Sequence, residues 1–341
     1  MRSVHLAGIG QVEVVSRPRP QPGPGQVLVA STYAGICGSD THAVAGHHPL
    51  LMPPDYYPGH EATGRVAEVG PGVAGWEVGQ RVILKPNIAC GQCVNCLAGR
   101  TNACQTLAWI GCDLTNRWPG AMADYFIAPA SNLFAVPGDM DDATAALVEC
   151  LSTPVHAVRI AGGIAGDGVV VMGAGTIGLL TVIAARLAGA GRIVVTDLDP
   201  DKLERARRHG ADVAVNASAP DANAQVGEAL GGPADIVFDC VASGGSVRRA
   251  LSLVRHAGKL MVVGVPSGEF AVPMPYVQDW ELTIQGCANY TAEDIDASIA
   301  IAARGEVPTS EIVSRVYQLE QAREAFAEAA QPSSGKVLIQ P

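Results

Sequence analysis

The 341 residues carry no basic excess: 23 Lys and Arg stand against 33 Asp and Glu, a formal charge of −10. A surface of that sign repels phosphate, so binding to nucleic acid is not expected. The acids are also not gathered into blocks, and no low-complexity segment, internal repeat or long charged linker interrupts the chain. Extended disorder is therefore excluded as its general state. Nor does any apolar run reach the roughly 18 to 20 residues of a membrane span. Arg2, His5 and Gln11 break up what would be the apolar part of a leader, so no secretory signal is expected and the cytoplasm is the expected compartment. Nine cysteines are present, but those grouped at metal spacing read as reduced ligands and not as a disulfide framework, and most of the remaining Cys112, Cys150, Cys240 and Cys287 are expected to be small core residues.

What is abundant is apolar residues, 48% of the total, and glycine, with 39. That composition and length suit two folded α/β or mixed domains. Before about residue 150, short β-rich runs at 27–29, 64–69 and 81–84 alternate with Gly and Pro punctuation, which predicts an irregular β barrel. From about 168 the rhythm changes. Apolar strands are expected at 169–172, 193–195, 236–238, 260–263 and 282–284, with helices at 177–187, 200–209 and near 246–255 between them. Continuous apolar strands alternating with helices predict a parallel sheet covered on both faces. The apolar-periodic stretch 295–303 and a last strand at 336–339 break that alternation and are expected to return to the first domain.

Four cysteines, Cys90, Cys93, Cys96 and Cys104, form C-x2-C-x2-C-x7-C in a polar stretch. Four thiolates at about 2.3 Å close a zinc tetrahedron and leave no open position, so this ion is expected to be structural. Further on, Gly173-Ala174-Gly175-Thr176-Ile177-Gly178 follows a predicted strand and opens a predicted helix, and Asp197 ends the next strand. In that setting the glycines form a phosphate cradle at a helix N-terminus and the acid receives ribose hydroxyls, which predicts a dinucleotide site for NAD over NADP. Thr176 and Ile177 belong to the same turn, and Lys202 could assist at the adenosine end.

Upstream, Cys37-Gly38-Ser39-Asp40-Thr41-His42 and Gly59-His60-Glu61 place a thiol, an imidazole and carboxylates in predicted loops, and Glu149 arrives at the change of architecture. A catalytic zinc takes about three protein ligands and keeps one place open. Spacing alone does not bring these residues together.

These elements, with Glu149-Cys150-Leu151-Ser152-Thr153, occur in an order and spacing that resembles the zinc-dependent medium-chain dehydrogenase/reductase family across essentially the whole chain. The nearest branch looks like the bacterial sorbitol (polyol) and threonine dehydrogenases. Glu149 stands where liver-type alcohol dehydrogenases have a third zinc-binding cysteine, and Gly38 where many have a phosphate-binding arginine. The resemblance implies a GroES-like barrel from residues 1–149 and 290–341 and a Rossmann domain from 150–289. It also implies two zinc ions per chain, NAD, and a homodimer or homotetramer.

By the same resemblance Cys37 and His60 hold the catalytic zinc, Glu61 and Glu149 compete for the remaining place, and Asp40 bonds the far nitrogen of His60. Ser39 would take the alcohol proton and pass it toward His42, while Thr153 and Ile177 would pack the nicotinamide. The implied reaction joins a secondary alcohol, such as a polyol or sugar alcohol, to its ketone by hydride transfer. Trp109, Asp113, Trp118 and Tyr276 are candidates for lining the substrate pocket or for plain packing. Threonine oxidation ranks second, because residues 37–48 offer no basic cluster for a carboxylate. A catalytically inactive, crystallin-like NAD-binding protein is the alternative from another class, and the joint presence of Cys37, Ser39, His60 and Glu61 argues against it.

Overall fold

In the computed structural model, which describes residues 1–266 and 268–341, the change of rhythm near residue 150 becomes a change of architecture. The chain divides into two compact units, Met1–Glu149 with Tyr290–Pro341, and Cys150–Asn289.

The first unit begins with a hairpin, β1 (Arg2–Gly8) and β2 (Gln11–Ser16). It continues through β3 (Gln26–Gly35), β4 (Glu61–Val69), β5 (Arg81–Leu84), the short β6 (Asn87–Ile88) and β7 (Ala108–Trp109), β8 (Tyr125–Pro129) and β9 (Leu133–Ala135). Strands β16 (Val313–Gln318) and β17 (Lys336–Gln340) come back from the C-terminal segment and complete a sheet of order β16-β17-β3-β4-β5-β9, with β8 also on β3. Alternation along β3 and β4 turns Val27, Val29, Ala62 and Val66 into a core with Leu84, Phe126, Val337 and Ile339. The last strand thus returns to this unit and pairs antiparallel with β3.

The second unit has six parallel strands, β10 (Gly168–Met172), β11 (Arg192–Asp197), β12 (Val213–Asn216), β13 (Ala234–Asp239), β14 (Val254–Val262) and β15 (Thr283–Gly286). Their order is β12-β11-β10-β13-β14-β15, the doubly wound 3-2-1-4-5-6 arrangement whose strand ends receive dinucleotides. Val169, Val170 and Val171 in β10 are all fully buried, as expected for a strand covered on both faces.

Three local readings change. Residues 38–44 are not loop but helix Gly38–Val44, because Cys37 is extended at its N-cap and Asp40, in the first turn, accepts the Cys37 amide at 3.3 Å. The helix near 246 runs Gly244–Leu253, since Ser243 and Ser246 cap it reciprocally and start it early, and Val254 already belongs to β14. The helix around 295 begins at Ala292, with Asp294 accepting the Thr291 amide and hydroxyl. No helix among the described residues is long and apolar enough to cross a membrane.

Candidate metal centres and dinucleotide site

The four-cysteine lobe is built locally. Cys90 follows β6, Cys93 caps helix Val94–Leu97, and Cys104 ends a short 3-10 turn, Thr101–Ala103. Asn95 Nδ2 donates to the Ala103 carbonyl at 2.7 Å and ties the two arms. The four sulfurs lie within 4.8 Å of one another, with Cys93–Cys96 at 3.5 Å and Cys90–Cys96 at 4.0 Å. Tetrahedral thiolates at about 2.3 Å from zinc require sulfurs about 3.8 Å apart, so the set fits that ion. Backbone amides already stabilise the anions: the Gln92 and Cys93 amides pull the Cys90 thiol down to about 6, and the Gln105 amide lowers Cys93, whereas burial pushes Cys96 up to about 12.

The other cluster is assembled over long range. Cys37 stands at the start of helix Gly38–Val44, His60 just before β4 and Glu61 at its first position, and their ligand atoms lie within 4.8 Å of one another. Sheet register adds a residue that the sequence does not advertise. Leu338 faces Gly35, and Gly35 faces Glu61, so Lys336 enters from β17 and its Nζ donates to both Glu61 oxygens, at 2.7 and 2.6 Å, and to the Ile36 carbonyl at 3.1 Å. Both members of this ion pair are buried. Glu149, in the first turn of helix Val148–Ile160, is buried with an oxygen within 4.8 Å of Glu61 and accepts the Tyr290 hydroxyl. Burial, and then the charge of Glu61, raises its carboxyl to about 7 against the pull of His60. In the sequence Tyr290 marks only a domain edge and Lys336 only the start of a strand; no local pattern distinguishes either, because their partners lie 141 and 275 positions away.

Asp40 is fully buried but lies 3.9 Å from His60 Nδ1, a charge contact beyond hydrogen-bond reach. Its oxygens accept Tyr56 Oη at 3.0 Å and the Cys37 amide at 3.3 Å instead. Cys112 Sγ, at 3.2 Å, stands within hydrogen-bond reach of His60 Nδ1. Burial would depress the imidazole, yet its neighbours Cys112, Cys37 and Asp40 act in the opposite direction and hold it well above its ordinary value. The surroundings of His60 therefore favour a positive charge, as a metal-binding donor set should.

Ser39 Oγ is buried and has no hydrogen-bond partner among the described residues. His42 follows three residues later on the same helix and is exposed. Trp109 meets the His60 ring edge-on at 6.1 Å, and among the described residues its buried Nε1 has no partner, nor does the buried Asn87 Oδ1 on the paired strand. Asp113 is spent on its own turn, accepting the amides of Thr115 and Trp118, while Trp118 packs at the margin of the barrel core. Tyr276, in the second unit, is exposed and stacks on Trp280.

In the second unit Gly173 takes φ 90°, and a Cβ at Gly178 would lie 1.8 Å from the Gly173 carbonyl oxygen, so the turn and the helix approach both need glycine. A Cβ at Gly175 would meet nothing within 4 Å, which leaves open space at the N-terminus of helix Thr176–Leu187, where a phosphate would sit. Asp197 ends β11, and its carboxylate accepts the amides of Ala174, Leu198 and Asp199 at 2.6 to 2.9 Å, which ties the acid to the glycine turn. Lys202 is half-buried in helix Pro200–Arg208, and Thr153 and Ile177 are half-buried on their helices.

Residues 23–138 match the family model for the alcohol dehydrogenase GroES-like domain, and residues 176–304 that for zinc-binding dehydrogenase. The chain is 32% identical over 349 residues to sorbitol dehydrogenase of Bacillus subtilis (strain 168), covering 100% of this chain and 97% of that one. It is 32% identical over 344 residues to probable D-xylulose reductase A of Aspergillus clavatus, covering 98% and 95%. A solved structure from Sinorhizobium meliloti 1021, described as a zinc-binding dehydrogenase bound to NADP, superimposes with a TM-score of 0.91 at 31% identity over 100% and 99% of the two chains.

Proposed function

Because this chain belongs to the zinc-binding dehydrogenase family, we propose that it interconverts a secondary alcohol of the polyol or sugar-alcohol class and its ketone by hydride transfer to and from NAD. The observation that carries the reading is the convergence of Cys37, the adjacent pair His60 and Glu61, and Glu149 beside them, from three separate parts of the chain. Cys37, His60 and Glu61 would hold a catalytic zinc, and the lobe cysteines a second, structural one. When bound, the catalytic ion supplies positive charge that makes an alcohol proton easier to lose.

The chain's own residues do the rest. Ser39 Oγ, which has no hydrogen-bond partner among the described residues, would accept that proton while giving up its own hydrogen through the cofactor ribose toward His42, which would release it to solvent. Trp109 Nε1 and Asn87 Oδ1 offer a donor and an acceptor to further hydroxyls, which favours a polyol over a simple alcohol. Threonine stays second, because residues 37–48 contain no Lys or Arg. Gly173, Gly175, Thr176 and Gly178 cradle the pyrophosphate, Thr153 and Ile177 pack the nicotinamide, and Lys202 assists the adenosine end. Asp197 would accept the ribose hydroxyls and repel a 2′-phosphate. The exposed edge strand β15, which carries the exposed Ile284, suits a homodimer or homotetramer.

Metal analysis of the purified chain should give two zinc ions, and a panel of polyols, simple secondary alcohols and threonine, followed by NADH absorbance, should rank polyols first. Asp197→Ala should narrow the preference for NAD over NADP. Turnover with one zinc or none, or an unchanged cofactor ratio in the variant, would contradict the corresponding part of this reading.

A further inference from the structure

Three glycines decide what stands next to His60. Gly59, directly before it, has φ 113°, and a Cβ there would lie 2.3 Å from the Met122 amide nitrogen. A Cβ on Gly111 would lie 2.7 Å from the Gly59 carbonyl carbon, and one on Gly120 would lie 2.3 Å from the Pro58 carbonyl oxygen. Backbone bonds lock the approach: the Gly120 amide donates to the Tyr57 carbonyl at 2.8 Å, that of Ala121 to Gly59 at 2.8 Å and that of Met122 to Pro58 at 3.1 Å. Only residues without a side chain permit these segments to run so close. The residue after Gly111 is thereby laid against the residue after Gly59, which is Cys112 against His60.

Cys112 Sγ is 3.2 Å from His60 Nδ1, nearer than the Asp40 carboxylate at 3.9 Å. A metal-bound histidine needs a partner on its second nitrogen to fix tautomer and ring orientation. Resting on the metal site proposed above, we propose that Cys112 is the positioning residue for the His60 imidazole, its sulfur accepting the Nδ1 hydrogen so that Nε2 faces the ion. Asp40 then serves the other ligand: its carboxylate accepts the Cys37 amide and the Tyr56 hydroxyl, and so fixes the start of the helix that presents Cys37. One acid and one thiol thus each hold one ligand in place.

The test compares the zinc-loaded full chain with Cys112→Ala and Cys112→Ser, following zinc transfer to a chromogenic chelator with the four-cysteine ion as internal control. Losing the partner of a ligating histidine weakens metal affinity by about 10- to 100-fold. Cys112→Ala should therefore release zinc from the Cys37 site faster by that order, leave the lobe ion unchanged, and shift the visible d–d absorption of Co(II) placed at the site. Cys112→Ser should restore most of the retention, since a hydroxyl can accept the same hydrogen. Release from Cys112→Ala at the wild-type rate with an unshifted cobalt spectrum would overturn the assignment, as would a serine variant that leaks as fast as alanine while its near-ultraviolet circular dichroism stays native. Both outcomes leave the metal site standing, whereas a wild-type chain holding only the lobe ion would remove that site and this assignment together.

Discussion

The two cysteine clusters of the first unit are built in opposite ways. The lobe draws all four donors from residues 90–104, so chain spacing nearly fixes its geometry. The Cys37 cluster draws on a helix start, the edge of β4, the first turn of a later helix and the last strand, so its geometry is a product of the sheet. A local cluster can hold its ion while the barrel is perturbed; a distributed one reports on the register of β3, β4 and β17.

The sharpest separation comes from one cysteine in each. Cys37→Ser should lower turnover by at least about 10³-fold, since the ion's charge contributes several kcal/mol at the transition state, while the lobe keeps its zinc. Cys93→Ser should release the lobe ion and loosen residues 90–104, seen as faster amide exchange there, with the Cys37 site still loaded. If either substitution empties both sites, the contrast between local and distributed assembly fails.

The same contrast explains what could be read from the residues in order. The lobe, the glycine turn and Asp197 were legible because each is a short-range pattern whose chemistry depends on neighbours within about 25 positions. The two-architecture layout was legible because strand and helix periodicities differ. The meeting of Cys37 with His60 came from family resemblance, since a gap of 23 residues through a helix and a loop has no preferred geometry. Lys336, Tyr290 and Cys112 carried no signal. A lysine at the start of a final strand looks like an edge residue, and only the antiparallel pairing of β17 with β3 turns it toward Glu61.

That pairing gives the next largest expected effect. Lys336→Met removes the ammonium from a buried carboxylate, and breaking a buried pair on one side costs about 3–5 kcal/mol. The loss should be greatest after chelation and smaller with zinc bound, because the ion supplies positive charge at the same place. Urea unfolding of both forms measures this. An equal loss with and without zinc would mean that Glu61 does not face the metal.

Lys85 is the counterpart within the same unit. It is buried too, but its Nζ donates to the Asn87 carbonyl at 2.9 Å and meets no carboxylate among the described residues. Burial lowers it from 10.5 to about 8, so between those values the unfolded chain binds the additional proton and stability rises with pH. The cost of keeping it charged is complete below pH 8 and gone above 10.5, and amounts to no more than about 3 kcal/mol. Lys85→Met should therefore stabilise the chain at pH 7, the opposite sign to Lys336→Met, and the gap between variant and wild type should close as pH rises through that window. Urea midpoints at pH 7, 8.5 and 10.5 test it, and a gap that stays constant would mean that the Asn87 carbonyl alone keeps the ammonium as comfortable as water does.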